Sequence, residues 1–378
     1  MFIPGGVSWQ ARTHSISSDR VRKSACKVRV TTIVTGGCLW RRRKRGSGMT
    51  SSRQRRSVII DCDAGVDDGL ALAYCASVAP ARIAAVTTVA GNNRAAVSAR
   101  NVRLLLRLLG LPETIQVVAG AERMLHGRRP DTAELVHGDD GLGGQAEAMG
   151  LPEQAEAVQS AAAEFLVTYA RSHGPVTIVA LGPLTNLALA LQRDRQLPDF
   201  IDQVVVMGGA VEHPGNGSPT AEANIRNDPQ AANVVLNAGW NITMVPLDVT
   251  MQHRLTTWDA ARLASSRNEA VRLLARASET YLTFHEGRHF AEREGALHDP
   301  VAMAVALRQV ELSLAPHMHV VVDEREGLTY GMTIADGRRK YLGYPLNGNE
   351  NCRVVLQLND DFRPAFVDAL MHLEPVAR

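Results

Sequence analysis

The chain has 378 residues, 45% of them hydrophobic and 21% charged, the composition of an ordinary soluble globule that can bury a sizeable core. No apolar run reaches the ~18 to 20 residues of a membrane span. The five cysteines, Cys26, Cys38, Cys62, Cys75 and Cys352, contain no CxxC pair, which argues against a disulfide framework or a zinc site and for a reducing compartment, cytoplasmic by default.

The net charge of +2 hides an asymmetry. Residues 1–56 hold 14 of the 41 Lys and Arg and one of the 39 acids, Asp19, which leaves 27 bases against 38 acids in the rest. This N-terminal segment carries the run RRRKR at Arg41 to Arg45 and has no convincing amphipathic period. It reads as an organellar transit peptide, as a basic arm for nucleic acid, or as an upstream extension outside the working protein, since Met49 stands nine residues before the first strand. Disorder is expected here in each case. The acidic body makes nucleic acid an unexpected main partner.

From Val58 the pattern changes. SVIIDCD reads as a buried parallel strand, followed by helical text from about Asp67 to Ser77. RIAAVTTV (82–89) is a strand, 93–109 an amphipathic helix rich in Leu and Arg, and QVVAG a strand. Residues 121–153 are loop-like and rich in Gly and His. A helix over about 154–172 leads to the strand VTIVAL (176–181), and LTNLALAL is helical. The strand QVVVMGG (203–209) opens into a polar loop reaching Asp228, and NITMVPL (241–247) is another strand. Helices are expected over about 257–290 and from Asp299, then short strands and a terminal helix from about Asp360. The alternation predicts a single α/β domain over 57–378, a doubly wound, mostly parallel, Rossmann-like sheet.

The richest chemistry lies in DCDAGVDDG, residues 61–69. Asp61 and Asp63 are two apart on a strand and leave the same face. Asp67 and Asp68 fall in the first turn of the next helix. Four carboxylates crowd the C-terminal end of one strand, where open α/β sheets bind ligands. Their repulsion is costly unless a cation sits among them, and all-oxygen ligation favours calcium or magnesium. Helix capping alone accounts for one or two of the acids, not four. A DxD after the first strand also opens the haloacid-dehalogenase phosphatases, but those usually continue with Gly-Thr/Val after the second Asp. Here a second acidic pair follows.

DCDAGVDDGLAL resembles the DxDxGxDD signature of the inosine/uridine-type nucleoside hydrolases. The resemblance continues in order through TTVAGN (87–92), VHGDDGLGG (136–144), ALGPLTNLA (180–188), VVVMGGA with GN (215–216) and AEANIRNDP (221–229), and LHDPVA (297–302). It covers about residues 57–375. It implies a one-domain α/β fold, usually dimeric or tetrameric, that hydrolyses the N-glycosidic bond of a nucleoside with the help of calcium. By that likeness Asp63 would ligate calcium and act as general base. Asp68, Asp299 and the Leu181 carbonyl would complete the ligands. Asp67, Asn92, Asn216, Glu222 and Asn224 would hold the sugar, and Asp61 would stand behind the ligands. One extra residue between Met207 and Asn216 weakens the match at Asn216, and Ala64 stands where the family often has Pro.

The chemistry required agrees with that list. Cleaving an N-glycoside passes through an oxocarbenium-like sugar, so a water must be activated, the sugar held and the base helped to leave. Asn and Glu suit a vicinal diol because they offer donors and acceptors. His298, beside Asp299, is the candidate proton donor to the leaving base. His137, in the Gly-rich loop, is a mobile candidate near sugar or base. Tyr281, Phe284, His285 and Arg288 share one helix at spacings of three and four. Tyr281 and Phe284 read as packing, His285 and Arg288 as base contacts. A protein that binds calcium or nucleosides without catalysis is the remaining alternative, opposed by the presence of both Asp63 and His298.

Overall fold

A run of apolar residues bounded by turn text forms a strand whose two faces must both be covered. VIIDC does this as β1 (Val58–Cys62), buried along its whole length. The computed structural model describes residues 56–149, 157–341, 343–345 and 348–376. The expected disorder of the basic segment therefore falls almost wholly outside the described residues.

The main sheet adds β2 (Ile83–Thr88), β3 (Gln116–Ala119), β4 (Val176–Ala180), β5 (Ile201–Met207), β6 (Ile242–Val245), β7 (His317–Met318) and β8 (Cys352–Val354). Its eight strands run in the order β7-β8-β6-β5-β4-β1-β2-β3. All neighbours are parallel except the β7–β8 pair. Ile60 of β1 sits opposite Val86 of β2 on one side and Val179 of β4 on the other. From β1 the chain goes outward through β2 and β3, then returns to build β4, β5 and β6 on the opposite side. This reversal between β1 and β4 is a topological switch point, and ligands bind at the carboxyl ends of the strands there.

Helices cover both faces. Val58 and Ile60 join an apolar cluster with Leu70, Leu274 and Val301, whereas Ile59 joins Leu166, Leu187 and Leu191 on the other face. Each such fully buried side chain is worth ~1.5–3 kcal/mol, and this burial holds β1 in place against the charges at its end. Helix α1 (Val66–Val78) lies under α9 (His298–Leu307), whose ten residues are all buried. The helices between them are α2 (Ala95–Leu108), α3 (Glu134–His137), α4 (Ala161–His173), α5 (Thr185–Arg193), α6 (Ala223–Asn227), α7 (Pro229–Leu236) and α8 (Glu269–His285), and α10 (Phe362–Met371) ends the chain. A further helix spans Thr257–Ala264.

Two expectations shift. The loop over 121–153 contains two short helical turns, α3 and Gln145–Ala148. The helix expected from about 154 begins at Ala161, and residues 154–156 lie outside the described residues. The helices expected over 257–290 are Thr257–Ala264 and α8, which begins where the Asn268 side chain accepts from the Ala270 and Val271 N–H groups. Among the described residues no helix is long and apolar enough to cross a membrane.

Candidate active site

The acidic motif folds as a strand end, one tight turn and a helix start. Ala64 takes φ 44°, the left-handed region, which costs a residue with a Cβ roughly 1–2 kcal/mol. Proline, fixed near φ −65°, could not adopt this turn. Gly65 then caps α1, its N–H donating to Asp68 Oδ2 at 2.7 Å. Asp67 and Asp68 are thereby held in the first turn of a helix buried on almost every side, and both are themselves buried.

Two glycines bring neighbouring loops onto Asp63. A Cβ on Gly91 would lie 2.1 Å from Asp63 Oδ2, and one on Gly182 would lie 3.1 Å from its Cγ. The loop after β2 delivers Asn92, whose backbone N–H and side-chain Nδ2 donate to Asp63 at 2.7 and 3.0 Å. Ser98 Oγ donates to the Asp63 carbonyl at 2.7 Å. Asp61 points elsewhere, accepting from Thr87 Oγ1 (2.6 Å) and Asn186 Nδ2 (2.8 Å), which places it behind the site, as expected.

Carboxylate oxygens of Asp67, Asp68 and Asp299 come within 4.8 Å of one another, all three residues buried. Asp299 arrives from the start of α9, more than two hundred residues along the chain. Among the described residues no Lys or Arg forms a salt bridge with any of these, and Asp67 Oδ1 is buried with no hydrogen-bond partner. Burial raises the Asp63 and Asp67 carboxyls from 3.8 to about 7, with neighbouring carboxylates adding to the rise, and it also raises Asp68 and Asp299 well above the usual carboxylate range. A hard cation would remove that cost by pairing with the charged form, so the donor set fits one.

The residues expected on the sugar side come from the end of β4, the loop after β5 and the start of α6. Glu222 is the N-cap of α6, its carboxylate accepting from the N–H groups of Gly209, Asn224 and Ile225. Asn224 Nδ2 donates to the carbonyls of Leu181 (2.8 Å) and Met207 (3.2 Å), tying together two strand ends. The Leu181 carbonyl keeps a second lone pair for another partner. Asn216 Oδ1 accepts from Ala223 N–H at 2.9 Å, so the extra residue before it does not displace it from the site.

These groups open on one cavity of about 490 Å³, a size typical of small-molecule sites. Asp67, Asn92, His137, Leu181, Asn216, Glu222, Asn224, His285, His298 and Asp299 all line it. Asp63 and Asp68 lie just beneath.

Four histidines line this cavity, His137, His285, His289 and His298, and burial lowers the pKa of each. His298 is pushed down from 6.5 to about 3, and its Nδ1 meets the Thr250 hydroxyl at 2.7 Å. His137, likewise lowered to about 3, accepts from the Val66 N–H at 3.1 Å and stacks on Tyr281. Being neutral, it forms no ion pair with Asp67 at 3.9 Å. The expected mobility of His137 gives way to a buried, bonded ring. Its loop is anchored by Asp140, which accepts four backbone N–H groups, from Leu142, Gly144, Ala146 and Glu147.

Of the two residues expected on the base side, His285 lines the cavity and Arg288 does not. His285 is buried, its Nδ1 lies 3.0 Å from His289 Nδ1, and its Nε2 has no partner. Arg288 does not reach this cavity. Its guanidinium lies over the Phe284 ring, donates to the Phe284 carbonyl and lines a separate surface depression with Glu279 and Arg293. The chain leaves α8 right after His285, which carries Arg288 outward. Tyr281 and Phe284 do pack, yet both also line the cavity. His289, Arg226 and Asn227 line it as well and were not anticipated. Spacing of four from His285 could have suggested His289, and Arg226 lies two residues after Asn224. Nothing in the sequence marks Thr250.

Comparison with known proteins follows the same outline. Residues 58–363 match the family described as inosine-uridine preferring nucleoside hydrolase. The pyrimidine-specific ribonucleoside hydrolase RihA of Shewanella oneidensis is 36% identical over 83% of this chain and 95% of its own length. The probable uridine nucleosidase 2 of Oryza sativa is 34% identical over 75% of this chain and 83% of its own. Among solved structures, a plant nucleoside hydrolase is similar with TM-score 0.74 and 30% identity, covering 84% of this chain and 98% of that one. A purine-preferring ribonucleoside hydrolase from Gardnerella vaginalis gives 0.72 at 30%, over 84% and 97%. The phosphatase alternative gives way to this match, which runs through every motif of the cavity. The chain belongs to the inosine-uridine preferring nucleoside hydrolase family, and its activity is hydrolysis of the N-glycosidic bond of ribonucleosides.

Proposed function

We propose that this nucleoside hydrolase is calcium-dependent and accepts both inosine and uridine, with a lean toward pyrimidines. The observation that carries the calcium reading is the gathering of three buried carboxylates within 4.8 Å, one oxygen of Asp67 having no partner, beneath a nucleoside-sized cavity. Asp63, Asp68, Asp299 and the Leu181 carbonyl would hold the ion, an all-oxygen set of the kind calcium prefers. Asp67 belongs to the same cluster and would be shared between the ion and a ribose hydroxyl. When bound, the ion supplies positive charge that eases deprotonation of water.

The remaining steps fall to the chain itself. Asp63, held by both donors of Asn92, takes the proton from the attacking water. Asn92, Asn216, Glu222 and Asn224 fix the sugar by its hydroxyls. His298 gives a proton to the departing base as the electron pair of the C1′–N bond moves onto it. His285 and His289 contact the base in place of the Arg288 expected from sequence. The lean toward pyrimidines rests on these polar rings and on the similarity to a uridine nucleosidase and a pyrimidine-specific hydrolase.

Release of free base from inosine, uridine, cytidine and adenosine, with and without chelator, tests the proposal. Comparable turnover of inosine and uridine, lost in chelator and regained with calcium, is expected. Strict 6-aminopurine specificity would overturn the base assignment, and full activity in verified metal-free protein would overturn the calcium assignment.

A further inference from the structure

We propose that Thr250 is a positioning residue for proton donation: its hydroxyl holds the His298 ring so that Nε2 alone faces the departing base. This rests on the assignment of His298 as the proton donor. Thr250 closes a short helical turn, Leu247–Thr250, that follows β6, and it is completely buried. Its Oγ1 lies 2.7 Å from His298 Nδ1, a short contact for an O–H and ring-nitrogen pair. Among the described residues this is the only hydrogen bond the ring makes. The nearest other ring is His285, 6.5 Å away between centroids.

The physical problem is a rotation. The outer torsion of a histidine is broad and roughly two-fold, and turning the ring over exchanges Nε2 for Cε1 at the cavity side. Cε1 carries no transferable proton. A bond at Nδ1 removes that ambiguity, because only one of the two orientations places nitrogen against Thr250. It also takes Nδ1 out of the proton transfer, which fixes the active atom.

A hydroxyl suits this place better than the carboxylate that often backs a catalytic histidine. It donates and accepts, so it stays bonded whichever protonation state Nδ1 adopts as Nε2 loses and regains its proton. It is also neutral, and the cavity already gathers Asp63, Asp67, Asp68 and Asp299. The step balances: the ring first takes a proton from solvent to become the imidazolium, Nε2 gives one proton to the base as the C1′–N bond breaks and the ring returns to its neutral form, water oxygen bonds to C1′, and Asp63 takes one proton from that water and releases it to solvent.

The test compares Thr250→Val, which keeps the shape and loses the hydroxyl, with Thr250→Ser and His298→Ala. Each is assayed on uridine and on nitrophenyl riboside, whose leaving group needs no proton, with thermal unfolding measured alongside. Thr250→Val should lower kcat on uridine by ~10-fold or more with KM little changed, the scale of one lost hydrogen bond or slightly above. Nitrophenyl riboside should change by less than ~3-fold, and Thr250→Ser should restore uridine turnover. Equal losses on both substrates, or no loss on uridine, would overturn the role of Thr250. If Thr250→Val does not fold, Thr250→Ala adds no bulk and carries the same comparison. His298→Ala separates the two ideas. A loss confined to uridine there, with Thr250→Val unaffected, rejects the positioning alone, whereas equal loss on both substrates in His298→Ala rejects the proton donor itself.

Discussion

The two ends of the cavity are built by different means. The sugar end is made at the carboxyl termini of β1, β2, β4 and β5, from strands buried on both faces and helices that start there. Its side chains are cross-tied: Asn92 holds Asp63, Asn224 links two strand ends, and Glu222 caps the helix that carries Asn224. The base end is made from the last turn of α8, the loop behind it and the turn α3. There Leu135 is 81% exposed and Arg288 and His289 face solvent. A group fixed by several packed elements holds reacting geometry to tenths of an ångström, and a group on a helix end or loop does not. The sugar end therefore suits chemistry common to all nucleosides, and the base end suits variable recognition.

Breaking the sugar end should cost most. Asp63→Asn is expected to lower kcat by at least ~10³-fold while a ribose analogue still binds. Near-normal kcat in that variant, measured with calcium saturating, would remove Asp63 from the mechanism and with it the contrast between the two ends.

The next effect is on stability. Without a cation, Asp63 and Asp67 titrate near 7 in the folded chain and near 3.8 when unfolded. Between those values the folded state binds more protons, so stability must fall as pH rises from about 4 to about 7. In chelator the melting temperature should therefore drop across that window. With calcium the carboxylates are held charged, and the drop should vanish or reverse. A chelated protein whose melting temperature climbs from pH 5 to 8 would mean that the acidic cluster is relieved by something other than a cation.

The base end should be more tolerant. His285→Ala is expected to shift the ratio of uridine to inosine turnover by ~10-fold or less. Arg288→Ala, outside the cavity, should leave that ratio within ~2-fold. An Arg288 effect larger than that of His285 would show that the loop folds inward when substrate is present, and the contrast would then hold only for the empty enzyme.

How much was legible follows from the same division. Helix and strand text located every strand from β1 to β6, because parallel strands buried on both faces are unbroken apolar runs. The acidic motif announced itself, since four carboxylates within eight residues have no cheap structural explanation. The start at Ala161 was missed because caps and turns decide boundaries, and periodicity does not report them.

The sequence alone determined the sheet class and the family, and it named most of the polar residues that line the cavity, because they fall in the motifs that follow strand ends. The tertiary structure alone decided the rest. It brought Asp299 to Asp67 and Asp68 by laying α9 across α1. It set Thr250 against His298, turned Arg288 away and placed His289 in the cavity. Those relations depend on how distant elements cross, and crossing is fixed by packing of buried side chains from the whole chain, which no local pattern encodes.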